Sequence, residues 1–310
     1  MRRSLGWFVF PALVLCASGV EAQVYQRTLV PGKAPMCVMW PGREYVFRLD
    51  AAGSAATRGD HGFSAIEAAF ASWRALSNTC SDYTFTRGPD IHNPQVGYLK
   101  DSKDNENVLT FREQDCNEAV TDPEDPCLAD DTCANKYACW EHGGATIGLT
   151  TTTFSFRTGY ILDADIEFNA SINGRGFVFT SVDSPPCDGL RQFDCVGTDI
   201  QNTLTHELGH VVGLDHVFET GSTMEPTAPP GETAKRIIDV GSAAGFCSAY
   251  PRGLPPTQCG EDPTLGRHYQ AVSLGPGLGC GASPAALLPP VALLGLWAFG
   301  RRRARPDRRS

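Results

Sequence analysis

Along the chain the spacing of hydrophobic and polar positions changes period several times, and each change marks an element. Residues 43–49 alternate, with Tyr45, Phe47 and Leu49 on one face, which predicts a strand. Ser64-Ala65-Ile66-Glu67 has the form of a capping box, and Phe63, Ile66, Phe70 and Trp73 fall on one helical stripe, so a helix is expected there. Residues 83–86 and 108–111 are short strand candidates, with a polar loop at 101–107 between them. Residues 146–156 are rich in β-branched side chains and read as a strand with its flanking loop. The cleanest alternation is at 161–169: Leu162, Ala164, Ile166 and Phe168 point one way, and Asp163, Asp165, Glu167 and Asn169 the other. That pattern predicts a half-buried strand with a solvated acidic row. The alternative for Asp163, Asp165 and Glu167 is a calcium ion, because hard cations take carboxylate oxygens. A helix is expected to start near Asp199 and a last one to cover 239–250.

The two ends differ from this middle. Arg2 and Arg3, an apolar run at 5–16 and small residues before Gln23 have the layout of a signal peptide spanning 1–22. The run is too short to be a membrane span. At the other end, residues 282–300 carry no charge and lead into Arg301-Arg302-Arg303-Ala304-Arg305, which has the length of a span with its arginines left in the cytoplasm. Residues 253–278 are rich in Gly and Pro and read as a linker, with Cys259 as a candidate tether.

Charge and cysteine content sharpen the picture. The net charge is -9, and removing the +1 of residues 1–22 and the +5 of 301–310 leaves -15 for the middle. Such a body repels phosphate, which argues against a nucleic-acid partner. Of 12 cysteines, Cys16 leaves with the signal and Cys280 sits in the tail. The ten that remain are an even set in an exported chain, the usual condition for disulfides. Cys116, Cys127, Cys133 and Cys139 lie in an acidic excursion at 113–141 and could instead hold a structural zinc. No Cys-x-x-Cys pair occurs there, which favours disulfides, with the pairing left open.

The chemistry concentrates in Thr205-His206-Glu207-Leu208-Gly209-His210-Val211-Val212-Gly213-Leu214-Asp215-His216. On a helix, residues four apart share a face, so His206 and His210 can reach one metal ion. Gly213 can take the left-handed conformation that ends the helix and brings His216 round as a third ligand. Three imidazoles leave a fourth position open, as a catalytic zinc requires, with Glu207 placed as general base. Five fixed positions in a chain of this length arise by chance only about once in ten thousand chains. His61, His92, His142 and His268 have no ligand spacing and read as ordinary.

The motif at His206, Glu207, His210, Gly213 and His216 resembles that of the metzincin zinc proteases, and Ser222-Thr223-Met224-Glu225-Pro226 resembles their Met-turn. Gly-Leu-Asp-His at 213–216 and Met-x-Pro at 224–226 are most similar to the matrixins. Astacin-like and serralysin-like enzymes would place a Tyr where Pro226 stands. The resemblance covers residues 36–252. It implies an α+β domain with a twisted mixed sheet, an active-site helix, a small C-terminal subdomain, Met224 as a floor beneath the metal, and a protein or peptide substrate for a monomeric endopeptidase. The cysteine switch of animal matrixins is absent, and Cys37 reads as a disulfide partner. The motif Gly279-Cys280-Gly281, the apolar segment and the Arg cluster resemble the C-terminal sorting signals of myxobacterial surface proteins. That resemblance implies processing at Cys280, transient membrane contact, and delivery to a bacterial surface or release. Two alternatives stand beside this reading: a metzincin of another branch with a narrow substrate, and a non-catalytic zinc-containing surface or adhesion protein. An intact Glu207 argues against the second, since a structural site needs only its ligands.

Overall fold

The computed structural model describes residues 24–259, apart from 58, 60, 101–104, 131, 172–175 and 188–193. The expected signal peptide, most of the linker, Cys280 and the tail therefore lie outside the described residues. Among those described, no helix is long and apolar enough to cross a membrane.

In chain order, β1 (Gln26–Arg27) and β2 (Glu44–Leu49) are followed by α1 (His61–Ser77), β3 (Thr84–Arg87) and β4 (Asn107–Arg112). The cysteine-rich excursion holds β5 (Gln114–Asp115), α2 (Cys116–Ala119), α3 (Cys127–Asp130), α4 (Cys133–Tyr137) and β6 (Cys139–Trp140). Then come β7 (Gly148–Phe154), β8 (Ile161–Asn169), β9 (Phe179–Thr180) and β10 (Thr198–Asp199). The chain ends in α5 (Ile200–Val211), β11 (Leu214–Asp215) and α6 (Val240–Ala249). The first helix begins at His61, so the Ser64 box lies inside its first turns rather than capping it, and Ser64 is exposed.

The main sheet has the order β3-β2-β4-β8-β7. All its pairs are parallel except β7 with β8, which run antiparallel from Gly148↔Phe168 to Phe154↔Ile161. Strand β7 is thus an edge. The alternation in β2 turns Tyr45, Phe47 and Leu49 onto α1, where Phe47 stacks on Phe70 with ring centroids 3.8 Å apart. Two indoles then fix α5 against this core. Trp73 Nε1 donates to Thr205 O (3.0 Å) and Trp40 Nε1 to Val211 O (2.8 Å), so large buried rings keep a hydrogen-bond partner. The result is the expected α+β arrangement, a mixed sheet with a helix packed beneath it.

One expectation fails. The acidic row of β8 is not solvated: Asp163, Asp165, Glu167 and Asn169 are all at most 2% exposed, while Leu162 on the apolar side is 45% exposed. The cause is the loop around Gly97 and the cysteine-rich excursion, which cover this second face. Asp165 accepts from Gly97 N (2.6 Å) and Val108 N (2.8 Å). Glu167 accepts from Arg112 Nε at 2.6 Å and lies 3.4 Å from His142 Nε2. Burial alone would raise the Glu167 carboxyl, but His142 and Arg112 outweigh it and hold it below its ordinary value, while Glu167 raises His142. Burial raises the Asp163 carboxyl, and burial followed by the Asp163 charge pushes Asp165 up to about 8. Backbone N–H groups at Asp165 and the Arg112 guanidinium at Glu167 meet part of this row's demand, while Asp163 Oδ2 has no hydrogen-bond partner among the described residues. His142, read as ordinary from its spacing, belongs to this network.

All ten cysteines pair: Cys37–Cys259, Cys80–Cys247, Cys116–Cys139, Cys127–Cys133 and Cys187–Cys195. A structural zinc in the excursion is thereby replaced by two disulfides, whose sulfurs form a small core of their own. The first two bonds close loops of 222 and 167 residues and tie the part after α5 to the sheet half. The chain after 252 stays attached as far as Cys259, with Arg27 Nη1 donating to Thr257 O (2.6 Å).

Candidate active site

Helix α5 starts on Asp199, whose side chain accepts from Asn202 N (2.7 Å) and is braced by Arg236 Nε (2.9 Å). With the start fixed, His206 and His210 fall on one face one turn apart. Gly213 ends the run at φ 85°, and a Cβ there would collide with Val38 O. The chain then reverses through β11, paired with β1, and delivers His216.

The three Nε2 atoms converge, at 3.2 Å for His206–His210, 3.2 Å for His206–His216 and 3.1 Å for His210–His216. The other nitrogens say which tautomer is present. His206 Nδ1 donates to Thr223 O (2.7 Å) and His210 Nδ1 to Leu214 O (2.9 Å), and a carbonyl can only accept. The proton is therefore on Nδ1, and two of the converging atoms present lone pairs to one another. Burial pulls all three imidazoles below their ordinary value, His206 furthest, with the neighbouring His210 adding to it at His206 and His216. Neutral nitrogens facing each other repel unless a cation sits between them. Zinc at about 2.0 Å from each nitrogen in a tetrahedron sets neighbouring ligands about 3.3 Å apart, close to the spacing seen. The residues fit the metal, and among the described residues these three form the one His/Cys/Asp/Glu cluster with metal-holding geometry.

Glu207 is 5% exposed and opens into the same cleft, a cavity of about 730 Å³. Thr150 Oγ1 on β7 donates to its Oε2 at 2.7 Å. Burial pushes the carboxyl up to about 7 against the lowering effect of that bond, and a divalent cation beside it would pull it down again.

Met224 is buried directly under the histidines' helix. A Cβ on Gly209 would run into its sulfur, so the glycine between the first two histidines is there to admit the Met-turn. Asp239 ties this turn to the last helix: it caps α6 through Gly241 N (2.8 Å) and also accepts from Thr223 N (2.7 Å). Burial works to raise the Asp239 carboxyl, but the Ser242 and Thr223 donors win and hold it below its ordinary value.

Of the residues singled out from sequence, the structure brings His206, Glu207, His210, His216 and Met224 together. It leaves Asp163, Asp165 and Glu167 on the opposite face of the sheet, and Cys280 lies outside the described residues. Sequence reasoning passed over Thr150, Gly209, Asp239 and Lys235. Lys235 lines the cleft, with Nζ held by Glu232 (2.8 Å) and Thr227 O (2.8 Å). An isolated glycine inside a helix was a usable signal for Gly209. Nothing in the run Thr150-Thr151-Thr152-Thr153 distinguishes the one threonine that touches Glu207.

A search among curated proteins returns no match for the chain. The matrixin family model matches residues 40–250, the stretch that carries the main sheet, α5, the histidine cluster and the Met-turn, and the protein therefore belongs to the matrixin family of zinc metalloproteases.

Proposed function

We propose that the protein is an exported zinc metalloendopeptidase in which His206, His210 and His216 hold the metal and Glu207 is the general base. The observation that carries this is the convergence of three neutral Nε2 atoms at 3.1–3.2 Å beside a buried carboxylate in one cleft. When bound, zinc supplies Lewis-acid polarisation of the scissile carbonyl and makes water a better acid. Glu207 takes the water's proton as the new C–O bond forms, then returns it to the leaving amine as the C–N bond breaks.

The substrate side follows from the sheet. Strand β7 is an edge and forms a wall of the cleft through Gly148, Thr150 and Thr152. Its free backbone groups can pair with an extended peptide, so a polypeptide chain laid along β7 passes Glu207 and the histidines. Export rests on the layout of residues 1–22 and on the five disulfides, which persist in oxidising compartments. Delivery to a bacterial surface, with processing at Cys280, rests on the Gly279-Cys280-Gly281 segment and the arginines after it. A monomer suffices for this reading, since one chain carries ligands, base and cleft.

The test is Glu207→Ala assayed for zinc and for peptide cleavage together. The variant should keep one zinc per chain and lose at least about a hundredfold in kcat. Cleavage equal to wild type would remove Glu207 from the mechanism.

A further inference from the structure

We propose that Thr150 is a positioning residue for Glu207, its hydroxyl fixing one carboxylate oxygen so that the base is held in a single orientation. Thr150 Oγ1 lies 2.7 Å from Glu207 Oε2 and 3.1 Å from Glu207 O. A hydroxyl has one proton to give, and the shorter contact to a carboxylate takes it. The hydroxyl engages Oε2, and the backbone N–H of the same threonine also favours the charged carboxylate.

The placement is set by the sheet rather than by the side chain alone. Thr150 pairs with Ile166 in the middle of the antiparallel β7–β8 ladder, and its β-branched side chain has few rotamers. Two residues earlier on the same face stands Gly148. A Cβ there would lie 3.0 Å from Glu207 Oε1 and 3.2 Å from a Phe168 ring carbon, tighter than ordinary contact. One strand therefore supplies, at period two, both the donor that holds the carboxylate and the gap that admits it. Of the rest of the threonine run, Thr151 and Thr153 turn to the opposite face beside Asp165 and Asp163.

The inference rests on Glu207 being the general base, and the experiment separates the two. Full-length Thr150→Ser, Thr150→Ala and Thr150→Val are compared with wild type and with Glu207→Gln. Zinc content, thermal midpoint, kcat and KM on one peptide are measured for each. Thr150→Ala and Thr150→Val should lower kcat roughly tenfold to a hundredfold, the scale for a misaligned catalytic group, with KM within about twofold. Thr150→Ser, which keeps the hydroxyl, should recover kcat to within about threefold, and every variant should hold one zinc per chain. If Val disturbs the strand and lowers the midpoint, the Ala and Ser pair decides. Equal kcat for Ala and Ser, a loss confined to KM, or a loss that tracks zinc content would overturn the positioning role. Should Glu207→Gln cleave normally, the general-base reading falls instead. Silent Thr150 variants beside a dead Glu207→Gln would leave that reading standing and end this one.

Discussion

Two buried polar clusters lie on opposite sides of the five-stranded sheet, and they are wired in opposite ways. On the acidic side, Asp165 receives two backbone N–H groups and is raised by the neighbouring Asp163, and Glu167 receives Arg112 and lies beside His142. On the α5 side, His206 and His210 spend their Nδ1 protons on backbone carbonyls, and the Nε2 atoms of all three histidines turn on one another. The first cluster draws most of its partners from the protein; the second turns lone pairs on one another and fits a cation. Residue type alone would have favoured the carboxylates as ligands for a hard ion. The direction of the donors separates the two: Asp165 and Glu167 already accept from protein N–H groups, whereas the Nε2 lone pairs of His206 and His210 meet only each other and His216.

The largest test of this difference is Arg112→Met. Removing one partner strands Glu167 in a site 2% exposed, which should cost about 3–5 kcal/mol in denaturant unfolding. Zinc affinity should not change. Pairing it with Glu167→Leu should restore most of the loss, since two apolar groups leave no orphan charge. A zinc defect in Arg112→Met would join the two clusters that the structure keeps apart.

Gly209→Ala probes the other side. The added methyl must displace the buried Met224, at an expected cost of about 1–3 kcal/mol, and Met224→Ala in the same chain should relieve it. Additive losses in the double variant would show that the turn does not pack on that glycine.

A third difference is in pH dependence. Folded Asp165 keeps a proton that an unfolded aspartate releases near 3.8, because burial and then the Asp163 charge raise it to about 8. The pair's contribution is therefore full below about 3.8 and is lost as pH rises toward about 8. Asp163→Asn keeps a hydrogen-bonding group without the second charge, so its stability should fall less over that window. An identical pH profile for wild type and variant would mean that Asp163 does not raise Asp165.

How much of this could be read from the chain follows from where the information is local. The zinc motif was legible because helical periodicity and one glycine suffice to bring His206, His210 and His216 together. Strands β2 and β8 were legible as strands by alternation. What covers β8 was not, because the loop around Gly97 and the excursion carry no periodic signal, and an alternating pattern looks the same under water or under a loop. The disulfide partners were equally hidden, being set by tertiary proximity across as many as 222 residues. Thr150 was invisible for a related reason. Its meaning depends on which face of an edge strand meets α5, and four consecutive threonines give no hint of it.

The central claim is that the α5 cluster is completed by one zinc ion, and titration of chelator-stripped full-length protein with zinc tests it most directly. One high-affinity site per chain is expected, weakened at least about a hundredfold by His210→Ala and unchanged by Asp165→Asn. Wild type that binds no zinc, or His210→Ala that binds it as tightly as wild type, would contradict the account.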